Sequence, residues 1–184
     1  MKKVNEVVFR KFEYDDIHGI MEWAYDRKTC DMLGGIWGSG KIDHDFISEY
    51  INSFIDDDLA GYNYVICRKE NKRYHGQISL FSIDKQAGKA QMAIVLSPWA
   101  RGYGMGKEST IKLMDYAFST LGLQRLYLYV DAENKPAVRC YESFGFEIEG
   151  CLKRDRFIGD RFHDTLIMAA FNQTGSGEQE TYRV

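Results

Sequence analysis

The sequence predicts a mixed α/β domain in which an antiparallel meander feeds a strand–helix–strand unit. Three observations carry that prediction. Three strand-like runs follow one another between residues 62 and 96, separated by connectors of turn length. A glycine-rich turn then opens a long helical pattern. A strand, a short helix and two more strands around Gly159-Asp160 complete the chain.

Each element has a local reason. Val7 to Phe12 reads as a first strand. Asp15 or Asp16 is placed to cap a helix carrying Ile17, Ile20, Met21 and Trp23. Thr29 to Lys41 contains Gly34, Gly35, Gly38 and Gly40 and is expected to be loop. Asp43 is a second cap, because Phe46, Ile47, Tyr50, Ile51, Phe54 and Ile55 behind it recur at helical spacing. The Asp56-Asp57-Asp58 run opposes the helix dipole, so that helix should end before or within it. Tyr62 to Arg68, Gly76 to Ile83 and Lys89 to Leu96 are the meander strands, and Pro98, which lacks an amide hydrogen, stops the third. A helix from Gly106 to Leu121 places Ile111, Met114, Phe118 and Leu121 on one face and ends at Gly122. Leu126, Leu128 and Val130 alternate with Tyr127 and Tyr129 in a strand, and Asn134 to Phe144 is a short helix closed by Gly145.

Composition limits the function classes. Apolar residues at 45% and charged residues at 28% fit a globular chain with a sizeable core, to which twelve tyrosines and eleven phenylalanines contribute. The length suits one domain, expected over residues 1–172, with 173–184 as a flexible polar tail. A net charge of −3 argues against a globally basic nucleic-acid binder. No run approaches the ~20 apolar residues of a membrane span, and two N-terminal lysines without an apolar stretch behind them make no secretory signal. A cytoplasmic protein is the expectation. Cys30, Cys67, Cys140 and Cys151 lack C-x-x-C spacing, so no metal site is expected.

The chemistry concentrates in Ile94-Val-Leu-Ser-Pro-Trp-Ala-Arg-Gly-Tyr-Gly-Met-Gly106-Lys-Glu. Here a strand ends, glycines alternate and a helix begins. Glycine lets backbone amides turn toward a ligand, and a helix N-terminus adds unpaired N–H groups and a positive dipole end. The product is an anion cradle suited to phosphate. A P-loop is excluded by count, since Glu108 follows Gly106-Lys107 and Arg101 stands at the first glycine position. A dinucleotide fingerprint counted from Gly102 meets Lys107 where it needs glycine. A simple strand-to-helix turn is the plainer alternative.

Arg101-x-x-Gly104-x-Gly106 after Val95-Leu96-Ser97-Pro98 resembles the acetyl-CoA pyrophosphate loop of the GNAT superfamily of N-acetyltransferases. Asn134-Lys-Pro-Ala137-Val-Arg-Cys-Tyr141-Glu-Ser-Phe-Gly145-Phe146 is similar to that family's N-x-x-A-x-x-x-Y-x-x-x-G-F stretch. Two motifs in the family's order are far more specific than either alone. The closing stretch from Phe146 through Gly159-Asp160 to Asp164 and Met168 looks like the branch holding spermidine and ribosomal-protein N-terminal acetyltransferases.

The resemblance implies a central, mostly antiparallel twisted sheet flanked by helices, and direct acetyl transfer from acetyl-CoA to a primary amine. It also implies roles. Backbone amides of Arg101, Gly102, Tyr103, Gly104, Met105, Gly106 and Lys107 would hold the pyrophosphate, with the Arg101 and Lys107 charges bracketing it. Ile94, Val95 and Leu96 would pair with the pantetheine arm, and a break near Pro98 would make room for it. Asn134 would cap its own helix or also contact the arm. Tyr141 would serve as general acid to the departing thiolate; on a helix it also packs with Ala137, Val138 and Phe144. A homodimer is implied by resemblance only.

The acceptor and the general base stay open. Gln91 stands where related polyamine enzymes carry a glutamate, and glutamine takes no proton. Ser79 and Ser82 occupy strand positions where spermidine enzymes carry acids. Glu22, Asp26, Asp31 and the Asp56–Asp58 run are other sources of negative charge, and Trp23, Tyr25 and Trp37 are candidate pocket walls. His18, His44, His75 and His163 are bases by chemistry, but no spacing singles one out. A polyamine, a protein N-terminus and a small amine are the acceptor classes, and a non-catalytic acyl-CoA-binding or sensing module is the alternative to an enzyme.

Overall fold

The structure is a computed structural model that describes residues 6–38, 42–55 and 62–173. The expectations for Asp56–Asp58, and for the tail from residue 174 on, lie outside the described residues. Among the described residues seven strands form one sheet: β1 (Val7–Arg10), β2 (Tyr62–Arg68), β3 (Gly76–Asp84), β4 (Lys89–Leu96), β5 (Arg125–Asp131), β6 (Glu147–Ile158) and β7 (Arg161–Phe171). Their spatial order is β1-β2-β3-β4-β5-β7-β6. The strands β1 to β4 are antiparallel throughout; turn-length connectors account for this at β2–β3 and β3–β4, whereas several helices lie between β1 and β2. β5 joins β4 in parallel, which the intervening helix makes possible, and β7 and β6 then extend the sheet antiparallel.

Strand alternation divides the core in two. Ile66, Ile78, Leu80, Met92, Leu126, Leu128 and Met168 point to one face and pack under α5 (Met105–Asp115) and α6 (Lys135–Glu142). Val65 and Val95 point to the other, where α1 (Ile17–Ala24) and α4 (His44–Ile55) bring Ile17, Ile20, Trp23, Ile47 and Ile51. Each fully buried Leu or Ile contributes roughly 1.5–3 kcal/mol over exposure. Asp43 caps α4 as expected, its Oδ1 accepting from the Phe46 amide at 2.8 Å. Asp16 does not cap α1 with its side chain. It accepts instead from the Arg10 guanidinium at 2.6 and 2.7 Å and from the Glu13 amide at 2.9 Å.

Two regions depart from the sequence reading. The glycine-rich segment after Thr29 is not all loop: α2 (Arg27–Leu33) and the single turn α3 (Gly35–Gly38) occupy most of it. Gly34, at φ +69°, punctuates the two helices. Packing overrides propensity here, because Trp37 of α3 sits against Trp23 at 4.6 Å, Tyr50 at 4.9 Å and Phe46 at 5.3 Å between ring centroids. The long helix predicted to Leu121 also changes character. After Asp115 it widens into a π-helical turn, Tyr116–Thr120, with the Leu121 amide donating to the Tyr116 carbonyl at 3.1 Å.

The sheet opens at its middle. β4 and β5 pair only at Lys89↔Arg125, Ala90↔Leu126 and Gln91↔Tyr127. Beyond Gln91, β4 stays with β3 to the Gly76↔Leu96 pair, while β5 stays with β7 to Asp131↔Thr165. The break expected near Pro98 therefore begins inside β4. Gly76 makes the tight end of the β3–β4 ladder possible, since a Cβ there would lie 2.3 Å from the Val95 carbonyl oxygen.

Candidate active site

A cleft of about 170 Å3 occupies the gap between the splayed strands. Ile94, Val95 and Leu96 line one side and Tyr129 and Val130 the other. Asn134, Ala137 and Tyr141 of the α6 region and Thr29, Met32 and Leu33 of α2 complete it. The sequence reading thus placed six of its residues here, Ile94, Val95, Leu96, Arg101, Asn134 and Tyr141. It missed the α2 contribution because that segment read as loop. It also missed Tyr129 and Val130, whose strand pattern shows a face but not a gap.

The glycine-rich turn meets this cleft through Arg101. Gly102 and Gly104 have φ of +81° and +77°, and a Cβ on either would meet nothing within 4 Å. Gly104 is the N-cap of α5 with no side-chain cap, and the first helical amide to reach an acceptor is that of Glu108, bonded to the Gly104 carbonyl at 3.0 Å. The amides of Met105, Gly106 and Lys107 precede it in the first turn, where α-helical geometry leaves N–H groups unpaired. The Met105 side chain is buried in the core and fixes the start of α5. This arrangement fits a phosphate-bearing ligand whose narrow arm enters the strand gap.

Arg101 differs from expectation. Its guanidinium is engaged by groups of its own chain. Nε and Nη2 donate to the Leu96 carbonyl at 3.2 and 3.0 Å, and Nη2 also donates to Thr29 Oγ1 at 2.5 Å. Nη1 lies 3.6 Å from Asp26 Oδ2. The splay strips the end of β4 of its β5 neighbour, and Arg101 satisfies the Leu96 carbonyl while tying α2 to the cofactor turn. Its backbone amide is also engaged, with the Pro98 carbonyl at 3.5 Å. Lys107 Nζ lies 5.9 Å from the centroid of the Phe144 ring.

Asn134 caps α6, its Oδ1 accepting from the Ala137 amide at 3.3 Å, and still faces the cleft. Tyr141 packs on Phe146, with ring centroids 5.6 Å apart. Burial pushes its phenol well above the ordinary tyrosine value, so it stays protonated.

On the opposite face of the sheet a second cavity, of about 300 Å3, shares Leu33, Ile94 and Val95 with the cleft. Trp23 and Trp37 line it as expected; Tyr25 is exposed and does not. Ser79 lines it, whereas Ser82 sits exposed in the irregularity between Phe81 and Asp84 at φ +50°. A third cavity, of about 310 Å3, borders the cleft through Met32, Leu33, Tyr129 and Val130 and reaches Asp155, Arg156 and Thr165. Its Arg156 is engaged by the Met32 carbonyl at 3.0 Å and by Asp131 at 2.8 Å.

None of the four histidines lines the cleft or the two cavities beside it. His75 is buried, with Nδ1 2.6 Å from the Arg73 carbonyl, and burial lowers its pKa. His163 Nδ1 lies 3.1 Å from Asp131 Oδ2. Gln91 ends the parallel pairing and reaches none of these walls. Among the described residues no group of three or more His, Cys, Asp or Glu side chains is placed to hold a metal ion.

A strand-split α/β sheet with a glycine turn at the helix end of the split defines an acyl-CoA-type transferase fold. The model of the acetyltransferase (GNAT) domain family matches residues 6–147, and the chain belongs to that family. It is 33% identical over 106 residues to the spermidine N(1)-acetyltransferase of Escherichia coli K12, a match covering 58% of this chain and 57% of that enzyme. The match thus spans less than two thirds of the enzyme's length. Identity to the Vibrio cholerae spermidine N(1)-acetyltransferase is 32% over 124 residues, covering 67% of this chain and 70% of that one. The crystal structure of spermidine N-acetyltransferase from Vibrio cholerae in complex with CoA and spermine superposes with a TM-score of 0.79 at 28% identity, covering 90% of this chain and 95% of that chain.

Proposed function

We propose that this chain transfers an acetyl group from acetyl-CoA directly to a primary amine, with Tyr141 as the donor to the departing thiolate. The observation that carries the reading is the strand gap that ends at an amide-rich turn and holds Tyr141 in its wall. Acetyl-CoA supplies an activated thioester. The protein's part is to bind the pyrophosphate on the turn amides, align the arm along Ile94, Val95 and Leu96, and place a phenol where negative charge grows. A thiol of pKa near ~8.5 leaves as thiolate. The raised phenol pKa makes Tyr141 first a hydrogen-bond donor to that charge; the thiol leaves with the phenol's proton, which solvent then restores to Tyr141.

The relatives named as spermidine N-acetyltransferases support a polyamine as one acceptor class; small amines and protein N-termini are the others in this reading. A non-catalytic acyl-CoA sensor is the second reading, favoured by one fact: among the described residues no histidine or carboxylate lines the cleft itself. Four unpaired cysteines suit a reducing, cytoplasmic setting, and among the described residues no helix is long and apolar enough to cross a membrane. The edge strand β6, with Ile148, Leu152 and Phe157 exposed, supports a homodimer. One domain through residue 172 with a polar tail remains our reading of the chain's organisation.

Tyr141→Phe tests the mechanism. Turnover should fall at least about tenfold, toward the hundredfold typical of lost acid catalysis, with acetyl-CoA affinity within twofold. Thiol release and calorimetry measure the two. Unchanged turnover removes Tyr141 from the mechanism, and acetyl-CoA binding without thiol release on any amine leaves the sensor reading.

A further inference from the structure

The 300 Å3 cavity opposite the cleft is built almost wholly from neutral groups. Trp23, Trp37, Tyr50, Phe54 and Phe81 supply aromatic walls from four elements, α1, α3, α4 and β3. The polar groups at its base are tied to one another. Trp23 Nε1 donates to Tyr74 Oη at 2.9 Å, Tyr74 donates to Gln77 Oε1 at 3.1 Å, and Gln77 Nε2 donates to the Tyr50 hydroxyl. Tyr50 is the one titratable side chain lining the cavity among the described residues, and burial raises its pKa to about 12. The acids nearby are committed elsewhere. Glu22 accepts from Trp99 and faces Arg73, Asp26 holds Thr29 and Arg101, and Asp31 pairs with Arg27 at 2.8 Å.

Resting on the acetyl-transfer reading above, we propose that this cavity is the acceptor site and that it selects a primary amine carried on an apolar, arylalkyl-type body over a polycation. Its position supports this: acceptor and donor would approach from opposite faces of the sheet and meet at Ile94 and Val95. Its size supports it too. An apolar cavity of about 150 Å3 holds benzene, so this one has room for a ring and a short aminoalkyl arm. A polyamine entering it gives up the hydration of several ammonium groups and meets aromatic faces that return only part of that cost. A monoamine has a single polar nitrogen, and that nitrogen must be neutral to attack. Apolar walls favour the neutral form, so the desolvation that penalises a polycation assists the monoamine. The amine lone pair then forms the C–N bond as the C–S bond breaks. The proton lost from nitrogen passes to water, the thiolate takes a proton from Tyr141, and the phenol regains its proton from solvent. With no ionisable base in the walls, kcat/KM rises about tenfold per pH unit up to the amine's own pKa, near ~10 for an alkylamine.

The experiment uses the full chain with acetyl-CoA and compares 2-phenylethylamine with spermidine by thiol release from pH 7 to 9.5. A second readout is tryptophan fluorescence, since Trp23 and Trp37 line the cavity. We expect kcat/KM for 2-phenylethylamine at least about tenfold above spermidine, saturable quenching, and a loss of about tenfold or more in Phe81→Ala with acetyl-CoA affinity within twofold. Ser79→Asp, which places a carboxylate in the wall, should shift preference toward spermidine. Equal or better turnover of spermidine by the unaltered chain overturns the proposal, as does a Phe81→Ala variant that binds acetyl-CoA but leaves 2-phenylethylamine kinetics unchanged. If no amine turns over, quenching still decides. Saturable quenching lost in Phe81→Ala upholds the cavity as an aryl-amine site while acetyl transfer fails; absent quenching overturns the cavity assignment itself.

Discussion

Replacing Arg101 with leucine separates two roles for a residue that the sequence places in a phosphate loop and the structure places in a clamp. The variant keeps an apolar stem but removes two donations to the Leu96 carbonyl, at 3.0 and 3.2 Å, and one to Thr29 Oγ1 at 2.5 Å. An acceptor left without its partner at the end of a splayed strand costs about 1–3 kcal/mol. The Asp26 contact, 3.6 Å long with both side chains about a third exposed, adds little. We expect a net loss of about 2–3 kcal/mol. In a chain of 184 residues that lowers Tm by roughly 5–10 °C. Acetyl-CoA affinity should fall by no more than about tenfold, because the turn amides remain, and its salt dependence should match the parent's. Thermal melts and calorimetry at two ionic strengths provide the measurements. A Tm within a degree or so of the parent, with affinity down a hundredfold and a flattened salt dependence, would refute the clamp and return the guanidinium to the phosphate.

Two further predictions follow from the same geometry. Gly104→Val places a β-branched side chain at φ +77°, a backbone conformation it rarely adopts, in the turn proposed to hold the pyrophosphate. Acetyl-CoA binding by calorimetry should be lost, and parent-like affinity would sink the cradle assignment. For His75, burial is the main cause of its lowered pKa. The unfolded chain therefore binds the proton more readily, and the stability due to neutral His75 is complete above about pH 6.5 and drains away as pH falls through the lowered folded value. Melts of the parent and His75→Gln from pH 7.5 to 5 should show the parent losing more, and parallel curves would contradict the assignment.

Much of the scaffold was legible from local signals. The meander strands, the Asp43 cap, the Asn134 cap and the turns at Gly145 and Gly159 each depend on residues within a few positions of one another, and the structure reproduces them. The glycine turn was legible for the same reason: strand, alternating glycines and helix start are one contiguous signal. The neighbouring α2–α3 segment was not, because Gly34, Gly35 and Gly38 read as breakers, while long-range contacts hold it in helical turns: Trp37 of α3 docks on Trp23, Phe46 and Tyr50, and Thr29 of α2 is held by Arg101.

By itself, then, the sequence determined the run of strands, the helices α1, α4, α5 and α6, the family and the glycine turn, all carried by near-neighbour backbone preferences and two short motifs. Only the tertiary structure decided where β4 leaves β5, which way Arg101 turns, and that Trp23, Trp37, Tyr50, Phe54 and Phe81 close around one cavity. Those facts depend on contacts between residues far apart in the chain, and side-chain spacing along a strand or helix carries no information about which distant surface it will meet.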